Sequence, residues 1–177
     1  MPVFKLATQY LAYLSIAILA SSCGGTGAEL APTTVGEAIK LAEKRGDIPT
    51  LNHDSTLLGP DVDGNGVRDD IDAYVDGLAI STLQKAALKQ SHRAIAASLV
   101  VDKLNRNAVL EVASKISDSN GCLYEKFDPM SAHQMVMQSE KFTVNTKARY
   151  LAYAAYNQAL AGSVVAIKNK STCEISI

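Results

Sequence analysis

Along residues 35–44, apolar Val35, Ala38, Ile39 and Ala42 recur at helical spacing, which predicts a short helix capped by Thr33 or Thr34. Gly46 ends it as a left-handed cap, and that role accounts for the Arg45-Gly46-Asp47 tripeptide without invoking adhesion. Residues 48–60 hold Pro49, Gly59 and Pro60 and show no period, so they read as loop. From Asp69 the pattern is helical nearly to the end. Ile71, Tyr74, Val75 and Leu78 form one apolar stripe. The stretch from about Ile80 to Leu104 is rich in Ala, Leu, Gln and Lys, all good helix formers. Asn107 is placed to cap a helix that carries Val109, Val112, Ala113 and Ile116 on one face and stops at Asp118-Ser119-Asn120-Gly121. Asp128-Pro129 pairs an N-cap with Pro at the first helical position, opening a helix to roughly Glu140. The last helix is predicted from about Asn145 to Ile167, with Tyr153, Tyr156, Leu160 and Val164 on its core face. No segment reads as a strand and no repeat is found. The expected fold class is all-α: a small helical bundle forming one domain, residues 32–177.

The first 22 residues have a different character. Lys5 is their only charge, and Leu6 to Ala20 is mostly Ala, Leu, Ile and Tyr, the length of a signal-peptide core rather than of a membrane span. The run ends in Leu19-Ala20-Ser21-Ser22-Cys23-Gly24-Gly25, which resembles the lipobox of bacterial lipoproteins. That resemblance implies a signal peptide over 1–22, a lipid on Cys23 and a flexible tether over 23–31. The commonest lipobox has Leu three residues before the cysteine; here Ala20 holds that place and Leu19 precedes it. Ordinary secretion, with a free Cys23, is the alternative. No Asp follows Cys23, so the inner-membrane retention signal known in enterobacterial lipoproteins is missing, which favours the outer membrane. The chain has three cysteines. With Cys23 lipidated, Cys122 and Cys173 remain as an even pair in an oxidising compartment, where a disulfide is expected.

Composition narrows the function classes. Lys and Arg total 17 against 18 Asp and Glu, a net charge of −1, so no basic excess points to nucleic acid. The chain has no Trp, which weighs against a carbohydrate face built on aromatic platforms, although seven Tyr remain.

The densest chemistry lies in Asp61-Val62-Asp63-Gly64-Asn65-Gly66-Val67-Arg68-Asp69-Asp70-Ile71-Asp72. Calcium is a hard cation that takes oxygen ligands, and a short loop can wrap it. Counting from Asp61, oxygen-bearing side chains fall at positions 1, 3, 5, 9 and 12: Asp61, Asp63, Asn65, Asp69 and Asp72. Val67 at position 7 offers its carbonyl, and Gly66 at position 6 supplies the sharp turn. The segment resembles the EF-hand loop, and more closely its single-helix relatives, the dockerin and thrombospondin type 3 repeats. The resemblance implies Ca²⁺ as the cofactor, held at an affinity of about 10⁻⁴ to 10⁻⁶ M. Three features depart from the EF-hand. Asp72 stands in place of the closing Glu, Arg68 occupies the position usually apolar, and Gly59-Pro60 directly before the loop implies that the entering helix is missing or displaced. A lone loop with one exiting helix lacks the paired architecture of an opening sensor, so the ion's expected role is structural.

Enzyme signatures are absent from the sequence. His53, His92 and His133 are scattered without zinc-site spacing, with His133 expected to be exposed or locally bonded. No serine sits in a nucleophile elbow, and Glu111, Glu125, Glu140 and Glu174 are isolated. One further cluster, Arg149, Tyr150, Tyr153, Tyr156 and Asn157, reads as a packed helix face, or alternatively as a ligand-contacting one. The expected protein is thus a calcium-binding lipoprotein of the cell envelope, non-enzymatic, structural or partner-binding. It is held to the membrane through lipid on Cys23, with an envelope protein as the possible partner. Two other readings fit the same residues: a calcium-stabilised envelope enzyme whose catalytic site is undisclosed, and a periplasmic inhibitor or accessory subunit.

Overall fold

Thr34 and Glu37 cap the first helix reciprocally: Thr34 Oγ1 accepts the Glu37 N–H at 3.2 Å, and Glu37 Oε2 accepts the Thr34 N–H at 3.1 Å. The computed structural model describes residues 34–46, 48–166 and 172–174. The leader, Cys23, the tether, Thr33 and Asp47 lie outside them. Six helices follow in order: α1 (Val35–Arg45), α2 (Asp69–Gly77), α3 (Thr82–Val100), α4 (Arg106–Lys126), α5 (Pro129–Thr143) and α6 (Lys147–Leu160). There is no strand among the described residues, and the fold is an all-α bundle. No helix among these residues is long and apolar enough to cross a membrane.

Helix α3 is the axis of the bundle and packs against α2, α4, α5 and α6. Its inward positions are largely small, including Ala87, Ser91, Ala94, Ala96 and Ser98, so neighbouring helices can approach closely. One apolar cluster joins Val67, Ile71 and Val75 to Leu88 and Leu123; a second joins Val109, Val112 and Ala113 of α4 to Tyr156 of α6. The stripe on α2 is as expected, with Ile71 and Val75 buried and Tyr74 and Leu78 packed beside them.

Four helices have limits that differ from the sequence reading. Helix α3 starts after Ser81, whose hydroxyl accepts the Gln84 N–H, and ends at Val100, leaving Leu104 exposed. Helix α4 is capped by Asn105 rather than Asn107, and it runs through Asp118-Ser119-Asn120-Gly121 to Lys126. Tertiary packing overrides that local stop. Ser119 is buried and bonds Ile116 O, and Cys122 and Leu123, one turn on, are core residues. Gly121 serves here as a contact point, because a Cβ on it would lie 2.8 Å from Thr172 Oγ1 of the C-terminal tail. Helix α5 has the expected Asp128 cap but continues to Thr143. Helix α6 is capped by Thr146 and stops at Leu160, just before Gly162 at φ 74°; Val164 is exposed rather than core.

The expected Cys122–Cys173 disulfide is formed, between residues 51 apart. Around it the tail is tied to two helices. Thr172 Oγ1 donates to Asp118 O, Gln90 Nε2 donates to Thr172 O, the Glu174 N–H donates to Gln90 Oε1, and Arg93 pairs with Glu174.

Candidate metal-binding loop

No helix enters the acidic loop; residues 48–68 are irregular, and Gly59 at φ 74° turns the chain into Pro60. The loop then closes on itself, because the Asp69 N–H at the head of α2 donates to Pro60 O at 2.9 Å. Inside, Asp61 accepts two successive amides, Asn65 N–H on Oδ1 at 3.1 Å and Gly66 N–H on Oδ2 at 2.9 Å. Such a nest of amides needs left-handed backbone, supplied by Gly64 at φ 70° and Gly66 at φ 79°. Asp63 Oδ1 also accepts the Asn65 N–H, at 3.2 Å. The Asn65 side chain joins the two ends of the loop, its Nδ2 donating to Asp63 Oδ2 at 2.9 Å and to Asp72 Oδ2 at 3.1 Å.

Of the six residues expected to hold an ion, Asp61, Asp63, Asn65 and Asp72 are therefore brought together. Asp69 turns its Oδ1 to the Val62 N–H at 3.0 Å, and Val67 is fully buried, with its N–H donating to Asn65 Oδ1 at 2.7 Å. Among the described residues no group of three or more His, Cys, Asp or Glu side chains stands ready to hold a metal. The loop oxygens bond instead to amides and to Asn65. The donor set is nonetheless chemically suited to a hard cation: the side chains that converge on Asn65 are carboxylates, and its own amide offers an oxygen when turned over. Lys89 of α3 also reaches this end of the loop, its Nζ lying 2.7 Å from Asp72 Oδ1 and 2.9 Å from Asp76 Oδ1. Burial opposes the Lys89 charge, but its bonds to Asp72 and Asp76 outweigh that and raise its pKa.

Behind the loop lies a polar network that the sequence did not signal. Arg68 at position 8 is buried, and its guanidinium pairs with Asp70 and reaches Phe142 O at 3.0 Å and Asn145 Oδ1 at 3.2 Å. In an EF-hand pair, position 8 would face a second loop; here it locks the loop to the end of α5. Asp70 also accepts the Asn52 N–H at 2.6 Å. Burial raises its pKa, but the Arg68 bonds and backbone amides outweigh that and hold it below the usual carboxylate range. Arg149 of α6 is fully buried and gathers the incoming chain: Nε donates to Thr56 O and Leu57 O, Nη1 to Asn52 O and Asn145 Oδ1, and Nη2 to Asn52 Oδ1 and Asp54 Oδ1. The one available hint was that Arg149 sits between alanines and tyrosines on a helix otherwise read as core.

The Arg149–Asn157 cluster splits in two. Arg149 and Tyr156 face inward, whereas Tyr150, Tyr153 and Asn157 line an open cleft of about 400 Å³ with Glu140, Lys141 and Val144. Helices α5 and α6 each pack on α3 and α4 but touch each other little, which opens this cleft. His133 is exposed, as expected.

Compared with known proteins, the chain matches no family model, no curated protein and no solved structure.

Proposed function

We propose that this protein is a calcium-binding lipoprotein of the bacterial cell envelope, a non-enzymatic structural or partner-binding module. The observation that carries the reading is the convergence on Asn65. Three carboxylates from positions 1, 3 and 12 of an EF-hand-like spacing meet one residue: Asp61 accepts its backbone N–H at 3.1 Å, and Asp63 and Asp72 accept from its side-chain Nδ2 at 2.9 and 3.1 Å. Asp61, Asp63, Asn65, Asp69 and Asp72 with the Val67 carbonyl would hold Ca²⁺, and the ion would neutralise carboxylates that otherwise repel. Its role is to fasten the loop to the head of α2, since the loop is already anchored on its far side by Arg68 and Arg149. The anchoring half of the proposal rests on the lipobox-like leader, which lies outside the described residues, and on the Cys122–Cys173 disulfide, which leaves Cys23 as the odd thiol.

Thermal melts of the protein with Cys23 as its first residue, the disulfide formed, test the metal. Calcium should raise the melting temperature by several degrees in a saturable way, chelator should reverse it, and Asp61→Ala with Asp63→Ala should abolish it. No shift and no heat of binding by calorimetry would remove calcium from the reading. Radiolabelled fatty acid incorporated by the wild type and lost in Cys23→Ser tests the anchor.

A further inference from the structure

Asp72 closes the loop, yet one of its two oxygens already faces a cation belonging to the protein. Lys89 Nζ lies 2.7 Å from Asp72 Oδ1, while Oδ2 accepts from Asn65 at 3.1 Å. The pair is four-fifths buried, with Lys89 21% and Asp72 20% exposed, so water screens it only partly. Resting on the calcium reading of this loop, we infer that Lys89 competes with the metal for Asp72 and thereby sets how tightly, and for which ion, the loop closes.

The coordination count gives the competition its consequence. Were Asp61, Asp63, Asn65, Asp69 and the Val67 carbonyl each to bring one oxygen, Asp72 would decide whether the protein supplied six oxygens or seven. With Oδ1 kept by Lys89, Asp72 offers one oxygen and the set is six, the number an octahedral Mg²⁺ demands. With Lys89 displaced, Asp72 offers both, and only Ca²⁺, which takes six to eight, profits. Displacement does not strand the ammonium. Asp76, one turn further along α2, already holds it at 2.9 Å and is 58% exposed, so Lys89 can swing onto Asp76 and water. The loop's closing position is thus contested from α3, the helix on which α2, α4, α5 and α6 pack.

The test compares Lys89→Met with Lys85→Met in the exported protein with its disulfide formed. Lys85 lies one turn earlier on α3 and donates to Asp76 O at 2.6 Å, so its loss removes the same charge nearby without freeing Asp72. Calcium and magnesium are each titrated calorimetrically into wild type and both variants, and chelator melts verify folding. Lys89→Met is expected to bind calcium about three- to tenfold more tightly than wild type, the range for breaking one partly buried ion pair. Magnesium affinity should rise less, and Lys85→Met should shift both ions equally and slightly. Calcium binding seen only in Lys89→Met would support the inference in its strongest form. If wild type binds calcium and the two variants shift it alike, the competition is refuted while the loop remains a calcium site. If none of the three proteins binds calcium, both ideas fall.

Discussion

The backbone N–H of Arg68 donates to Nε2 of His92 at 3.1 Å, joining the acidic loop to the middle of the central helix. Nε2 accepts, so the ring proton sits on Nδ1, which donates to Thr143 Oγ1 at 2.9 Å; Thr143 in turn donates to Ser139 O at 2.7 Å. One neutral imidazole thereby connects the loop, α3 and α5. Burial, and after it the positive charge of Arg68, push His92 down to about 3. Charges reach it from all sides: Arg93 on its own helix and Arg149 on α6 add to Arg68, and only Asp70 at the head of α2 opposes them.

This arrangement fixes a pH dependence. The folded pKa lies below the ordinary histidine value near 6.5, so the unfolded chain binds the extra proton, and stability is lost as pH falls from about 6.5 toward 3. Between pH 6.5 and 4.5 the loss should be about 2.5 kcal/mol, before most carboxylates titrate. Urea unfolding in chelator measures it. His92→Gln is expected to be less stable at pH 7 but nearly flat across that window; an unchanged slope would show that another group carries it.

Arg149 should be irreplaceable for stability. Truncating it to Ala leaves the carbonyls of Thr56 and Leu57 without their donor, Asn52 O with Asn145 Nδ2 as its remaining one, and Asp54 without its pair. A loss of about 3–5 kcal/mol is expected in denaturant unfolding. Arg149→Lys keeps the charge but loses the planar fork, and should recover less than half of it.

Gly59 and Gly64 separate backbone strain from steric room. Gly59 and Gly64 have nearly the same φ, 74° and 70°. A Cβ at Gly59 would lie 2.3 Å from Arg68 Cδ and 2.8 Å from Cγ, whereas one at Gly64 meets nothing within 4 Å. Gly64→Ala should cost about 1–2 kcal/mol for the left-handed backbone alone. Gly59→Ala should cost clearly more, because it also pushes Arg68 off Asp70. Equal losses in parallel unfolding curves would contradict this.

Removing the disulfide tests the tail. Cys122 and Cys173 are 51 residues apart, and chain-entropy reasoning assigns such a bridge about 4 kcal/mol. The Cys122→Ser, Cys173→Ser double variant should unfold at correspondingly lower denaturant. Its tail should also become protease-sensitive while α2 and the acidic loop stay protected. Loss of protection in the loop would mean that the tail supports more than α3 and α4.

Several features set within a turn or two of chain were legible in the residues. A threonine cap on α1, with Thr34 rather than Thr33 in the role, Asp128 with Pro129, and the stripe Ile71, Tyr74, Val75 and Leu78 depend on local spacing, and each stands where the residues placed it. The cysteine count anticipated the disulfide. Local signals misled where distant partners outweighed them: Gly121 does not end α4, because Cys122 and Leu123 bury a further turn and the tail needs a residue without a side chain beside Thr172. Only the tertiary structure could decide what surrounds the acidic loop. Arg68, His92 and Arg149 are separated by 24 and 57 residues. Nothing in their spacing tells that folding excludes water from all three. Once water is gone their donors must find protein acceptors, and the nearest are Asp70, Thr143 and the carbonyls of the chain leading into the loop. The spacing of the loop's oxygens is a local property, encoded residue by residue. Its anchoring, and the presence of Lys89 at Asp72, come from a bundle that brings α3 against α2.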